Sequence, residues 1–316
     1  MDVLIETLST IWSEFPGFID LFKSNYSWSQ ENLNFFMAVS AVMAVRASDD
    51  KLRKSQNGKG NPWMYNLTHS LLIGFGGGTF APLLFGKPSG LLSSGDFVCF
   101  CSFVSYYIIF HLPFGYDIFS FLPIKIWTTL SSQLFKAGGI CSYTTIATGL
   151  FKETKYYPIP IMGPILAATL LGNVGPIFRL GWSKWFEKGM PANFENGLYL
   201  GTFYHLYVND TTGILGETLR WAVKSTPNVN LVLDFFESDA EFARVFVGVY
   251  MVGYGILKMP EFLGPRFNPF PASPILVKLL NLNSREKKVK KVEKVKKVEK
   301  MSTPAKSKKK KSKKED

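Results

Sequence analysis

The chain has 316 residues with 36 Lys and Arg against 24 Asp and Glu, a formal net charge of +12. Residues 285–316 hold 16 of the basic residues and 5 of the acidic ones, so residues 1–284 carry only +1. The body is therefore no basic nucleic-acid platform, and the tail has no interleaved aromatics on which bases could stack.

The mean hydropathy of +0.09 is diluted by that tail. The body contains several apolar runs of the roughly 20 residues needed to cross a bilayer. Residues 1–31 hold Asp2, Glu6, Glu14, Asp20 and Glu31 against Lys23 alone. Without a basic n-region they do not read as a cleavable signal peptide. Val3, Leu4, Leu8, Ile11 and Trp12 recur at helical spacing, which predicts an amphipathic helix ending before Pro16. A first span is expected over about 34–45. Arg46, Lys51, Arg53, Lys54 and Lys59 then mark a cytosolic loop.

The second span, about 64–85, contains Gly76-Gly77-Gly78 and then Pro82. Each interior glycine costs a helix about 1 kcal/mol relative to alanine, and proline removes a backbone donor. Irregular backbone at membrane depth is tolerated where protein packs on it or where it lines a watery cavity. The triplet therefore predicts a bent, pore-lining helix, with glycine used only for close packing as the plainer alternative.

A third span is expected at 97–111 and a fourth at 118–134. Lys125 lies near the start of the fourth and Lys136 eleven residues on, about three turns, so both fall on roughly the same side. Basic residues at such depth face water, lipid headgroups or one another, unless they snorkel from the ends of the span. The fifth span, 158–176, is broken by Pro164, Gly172, Gly175 and Pro176. Two interrupted spans separated by two others predict inverted three-helix repeats with a pathway at their interface.

Arg179, Lys184 and Lys188 mark the cytosolic side again. A sixth span is expected at 198–208, an acidic loop at 210–241 and a seventh span at 242–257. The domain reading is thus a lumenal segment 1–31, a seven-span domain 32–260, a Pro-rich exit segment 261–284 and a Lys-rich cytosolic tail 285–316. Such a low-complexity tail cannot bury a core and suits anionic headgroups.

Cys99, Cys101 and Cys141, with His69, His111 and His205, lack metal-ligand spacing, so neither a metal nor a cofactor is expected. There is no phosphate loop, nucleophile elbow, dinucleotide fingerprint or paired-histidine motif, and no enzyme is expected. What remains is a channel, a secondary transporter built on the same repeats, or a non-conducting scaffold with a lipid-binding tail.

Phe75-Gly76-Gly77-Gly78, Phe121-Leu122-Pro123-Ile124-Lys125 and Leu180-Gly181-Trp182, in that order, resemble motifs of the trimeric intracellular cation channels. The resemblance implies an all-α fold of seven transmembrane helices, two inverted repeats of three plus one. It also implies a homotrimer with a pore in each protomer and a potassium conductance of the endoplasmic or sarcoplasmic reticulum that balances charge during calcium release. Phosphatidylinositol bisphosphate would be held by a basic pair on the fourth helix. Of that pair the first position falls on Ser132 and the second is matched by Lys136, while Ala167-Ala168-Thr169 stands where the family has a glycine cluster. Gly77→Leu is expected to block conduction while leaving assembly intact.

The charge pattern puts the N-terminus in the lumen and the C-terminus in the cytosol, although Lys152 and Lys155 fall in a stretch assigned to the lumen. Lys313 and Lys314, fourth and third from the end, match a dilysine retrieval signal read by coat machinery from the cytosol. Asn25-Tyr26-Ser27 is a sequon that requires lumenal exposure. A tag after Asp316 should bind antibody when only the plasma membrane is permeabilised, and a tag before Met1 only once internal membranes are opened. The reverse pattern overturns the topology.

Overall fold

Small polar side chains share the buried interior with an apolar core, and many large apolar side chains are exposed on the helices. The computed structural model describes residues 30–89, 91, 95–152, 155–171, 175, 192–227, 229–264 and 267. All lie in the first of two units, 1–267, and the second unit, 268–316, is outside the described residues. The described residues are helical, without a strand. The helices are α1 Gln30–Ser55, α2 Trp63–Leu84, α3 Asp96–His111, α4 Gly115–Ser120, α5 Leu122–Leu150 and α6 Met162–Leu171. There follow α7 Ala192–Tyr204, continued by a π-helical turn His205–Asn209, then α8 Ile214–Lys224, α9 Val229–Leu233 and α10 Asp239–Leu257.

On α3 the buried side includes Cys101, Ser102 and Ser105 while Phe97, Phe100, Phe103 and Tyr107 are exposed. On α5 Thr128, Ser131, Ser132 and Thr144 are buried while Trp127, Ile146 and Leu150 are exposed. Small residues let membrane helices approach closely, and lipid receives the large apolar ones. Among the buried hydroxyls, Thr144 bonds to the Ile140 carbonyl and Thr169 to the Ile165 carbonyl of its own helix, both at 2.6 Å. By length and composition α2 and α10 can each cross a membrane, and α3 and α6 are shorter apolar helices.

Local sequence sets several helix ends. Glu31 stands in the first turn of α1 and Arg53 and Lys54 in its last, complementing the helix dipole. The α10 start is a reciprocal cap: Ser238 accepts from the Glu241 amide at 3.2 Å, and the Glu241 carboxylate accepts from the Glu237 amide at 2.8 Å.

α5 packs against α1, α6, α7 and α10, and α2 packs against α6. The main core cluster joins Ala137, Ile140 and Cys141 of α5 with Leu200 and Tyr204 of α7 and Val247 and Met251 of α10.

Each predicted span overlaps a helix, but the details differ: α2 is continuous through the glycine triplet where a break was expected, the fourth span starts in α4 and is interrupted at Phe121, and the fifth is helical only from Met162. Residues 46–55 continue α1 instead of forming a loop, because Asp49 is buried and paired: its carboxylate accepts from Arg53 Nε and the Asn61 amide, each at 2.7 Å. The fourth span does not end at Leu134, since α5 runs on to Leu150 and puts Lys136 in mid-helix. The stretch 210–241 is not a plain loop but carries α8 and α9. The predicted N-terminal helix, the sequon, Gly172, Leu180-Gly181-Trp182, the basic cluster at 179–188 and the tail lie outside the described residues.

A buried carboxylate ties the end of α7 to α8. Asp210 accepts from the Tyr157 hydroxyl at 2.6 Å and from the amides of Gly213 and Gly216 at 2.8 and 2.9 Å. Burial, and then the adjacent carboxylate, push the Tyr157 phenol above its usual pKa. Asp210→Ala leaves these donors unmatched and should lower stability by about 3 kcal/mol. Thermal unfolding of the detergent-solubilised protein measures this, and an unchanged midpoint would show the knot to be dispensable.

Candidate functional site

The two middle helices of the predicted repeats meet through their glycines. A methyl carbon at Gly77 would stand 1.7 Å from the Leu171 carbonyl oxygen, and one at Gly175 would stand 2.3 Å from the Ile73 carbonyl oxygen. Each glycine lies four residues after the carbonyl that the other approaches. This reciprocal exchange is what a two-fold relation between α2 and the α6 segment generates. Gly78, one residue on, has nothing within 4 Å of its own methyl position. Adjacent glycines therefore do different work, Gly77 admitting the neighbouring backbone and Gly78 leaving open space.

That space belongs to a cavity of about 560 Å³. Gly77, Gly78 and Thr79 line it from α2, Lys136, Gly139, Ser142 and Tyr143 from α5, Leu171 and Gly175 from the α6 side, and Arg244 from α10. Gly139 lets the Leu171 side chain in, since a methyl there would stand 2.3 Å from Leu171 Cδ2. Phe75 and Phe135 meet edge to face at 5.8 Å and hold α2 against α5 just before Lys136. Lys136 is half-buried, and Arg244 Nε donates to the Tyr204 hydroxyl at 3.5 Å. The described lining carries two cations and no carboxylate.

Of the predicted site residues, Gly77, Gly78, Gly175 and Lys136 converge here. Gly76 is buried in α2 beside them, and Pro164 is buried in α6 away from the lining. Ser132 is buried in α5, where its hydroxyl donates to the Thr129 carbonyl at 2.9 Å. Lys125 pairs with Glu261 beyond the end of α10, and that hydrogen bond holds the Glu261 carboxyl below its usual pKa. Lys125 and Lys136, one helical side in the sequence reading, thus have different environments. Arg244 is absent from that reading. The signal was available: a lone basic residue inside a predicted span is as costly at 244 as at 136.

This chain is similar in fold to a trimeric intracellular cation channel from C. elegans solved without Ca2+, with a TM-score of 0.51 and 10% identity over 72% of this chain and 89% of that one. A C. elegans channel of the same kind with bound Ca2+ gives 0.47 at 12% identity, covering 72% and 89%. A structure of TRIC counter-ion channels in calcium release gives 0.46 at 15%, covering 70% and 92%. The first of these assigns the fold: this chain has the architecture of a trimeric intracellular cation channel, an all-helical polytopic membrane protein. No protein-family model and no curated protein matches the sequence.

The contact at Gly77 corrects the expectation that Gly77→Leu spares assembly, because even a methyl there collides with backbone. Gly77→Ala should cost at least about 2 kcal/mol by forcing α2 from α6. Gly78→Ala should leave stability unchanged or raise it, since it trades glycine for a better helix former in open space. Thermal unfolding of the two single variants measures the difference, and equal midpoints would remove the asymmetry.

Proposed function

We propose that this chain is a member of the trimeric intracellular cation channel family and conducts monovalent cations, chiefly potassium, through the glycine-lined cavity between α2, α5 and α6. The observation that carries this reading is the pairing of Gly77 and Gly175 at the seam with open space at Gly78. Close packing alone would fill both sides of the triplet.

Lys136 and Arg244 put two cationic side chains at this cavity, and a bound anion would offset their repulsion of a permeating cation. In this reading a phosphoinositide headgroup does so. Its phosphates meet basic residues from two helices, α5 and α10, rather than a pair on one. The protein works as a homotrimer of the endoplasmic or sarcoplasmic reticulum, supplying counter-ion current during calcium release. The C. elegans fold and the ordered motifs support this. The proposed topology keeps the start of α5 and the end of α10 on one side of the membrane, and the Lys125–Glu261 contact agrees with it.

Purified protein in planar bilayers should give unitary potassium currents, and Gly78→Leu, which fills the cavity without touching the seam, should reduce them. Lys136→Gln with Arg244→Gln should weaken binding to vesicles containing phosphatidylinositol bisphosphate by about tenfold. Substrate-dependent flux without unitary events would point to a transporter instead. Absence of both flux and current would leave a scaffold.

A further inference from the structure

α8 is amphipathic in a way that its packing within the chain does not use up. Gly216, Leu219, Arg220 and Val223 face the protein, where Leu219 and Val223 pack on the main core cluster. At about 100° per residue, Trp221, Ile214, Thr218, Ala222 and Leu215 then follow one another around the outer side over roughly 120° of arc. All five are exposed, Ile214 at 71% and Trp221 at 69%. Glu217 and Lys224 occupy the remaining narrow edge, and Lys224 reaches Asp239 at 3.8 Å. The helix thus has three sectors: one on the protein, one apolar and outward, one charged.

Its position says what meets the apolar sector. α8 begins five residues after the π-helical end of α7, and Arg220 fixes it there by donating to the carbonyls of Asp210, Tyr207 and Thr211 at 2.8, 3.1 and 3.2 Å. The Leu215 amide donates to the Tyr157 hydroxyl at 2.9 Å, which brings the 91%-exposed Tyr156 and the exposed Met162 to the same end of the bundle. A tryptophan, a tyrosine and aliphatic side chains at the mouth of a spanning helix, beside a charged edge, match the membrane–water boundary.

We propose that α8 lies in the bilayer interface at the α7 exit, with Ile214, Thr218 and Trp221 seated among lipid acyl chains and Glu217 and Lys224 turned to water. The occupant of the face is lipid, because the apolar arc lies at the end of the bundle that also exposes Tyr156 and Met162, while a charged edge closes its other side. A segment held this way anchors the Asp210 knot, and with it the start of α10, to one leaflet.

Spin labels placed singly by Ile214→Cys, Thr218→Cys, Trp221→Cys, Glu217→Cys and Lys224→Cys, in a Cys99→Ser background, test this in phosphatidylcholine vesicles of the full chain. Oxygen, which partitions into lipid, and a water-soluble nickel chelate present on both sides compete as relaxing agents. At 214, 218 and 221 oxygen should dominate severalfold, and at 217 and 224 the nickel chelate should. Nickel dominance at 214 and 221 would mean that the face is bathed in water. Low accessibility to both reagents would mean that protein, such as a second copy of the chain, covers it. Either result overturns the proposal. The labelled side chains are all exposed, and the polar-edge positions report within the same protein that α8 has kept its fold.

Discussion

Gly77 and Gly175 let two backbones touch, each against the carbonyl four residues before the other. No side chain larger than hydrogen fits at either place, so the approach is fixed by absence of bulk and not by any attraction. In a bilayer this matters because lipid tails are as apolar as the residues they would replace, and helix association depends on close packing. The cavity exists because this contact is local: where the triplet continues to Gly78 the backbones have parted, and the gap is bounded by α5.

α5 is the element that turns this contact into a site. Its 29 residues carry small groups toward α6, the Phe135 ring toward Phe75, Lys136 into the cavity, and hydroxyl groups that bond to their own helix. A shorter helix ending at Leu134 would leave Lys136 beside water, where its charge costs little. Continuing to Leu150 brings that charge inside, opposite Arg244 of α10. Cationic side chains from two helices, the half-buried Lys136 and the exposed Arg244, line one cavity and act on anything that enters it.

Buried carboxylates hold the ends of the spans. Asp49 fastens the α1 extension to the chain leading into α2, and Asp210 fastens the α7 end to α8. Asp49 accepts one backbone amide and Asp210 two, each beside a side-chain donor, so each charge is matched by more than one hydrogen bond. The polar work of the fold is concentrated at these ends, while the apolar middles face outward.

Much of the architecture was legible in the sequence, for a reason specific to membranes. Every backbone group in a bilayer must bond internally, so a long apolar run has to be helical, and poor helix formers such as Gly76 to Gly78 stand out against that rule. The helical segments that overlap the predicted spans follow from residue type and order alone, whereas the expected break in the second does not form: α2 runs unbroken through Gly76, Gly77 and Gly78. Helix ends were less legible. Residues 46–55 and 136–150 are polar or mixed, and what makes them helical is a contact from afar: Asn61 on Asp49 in one case, packing against α6, α7 and α10 in the other. The sequence determined which segments enter the membrane, because hydrophobicity and hydrogen bonding are local properties. Only the tertiary structure decided that Gly77 and Gly78 differ, that Lys125 pairs with Glu261 and that Arg244 joins Lys136, because these depend on which atoms of distant segments come within a few ångströms.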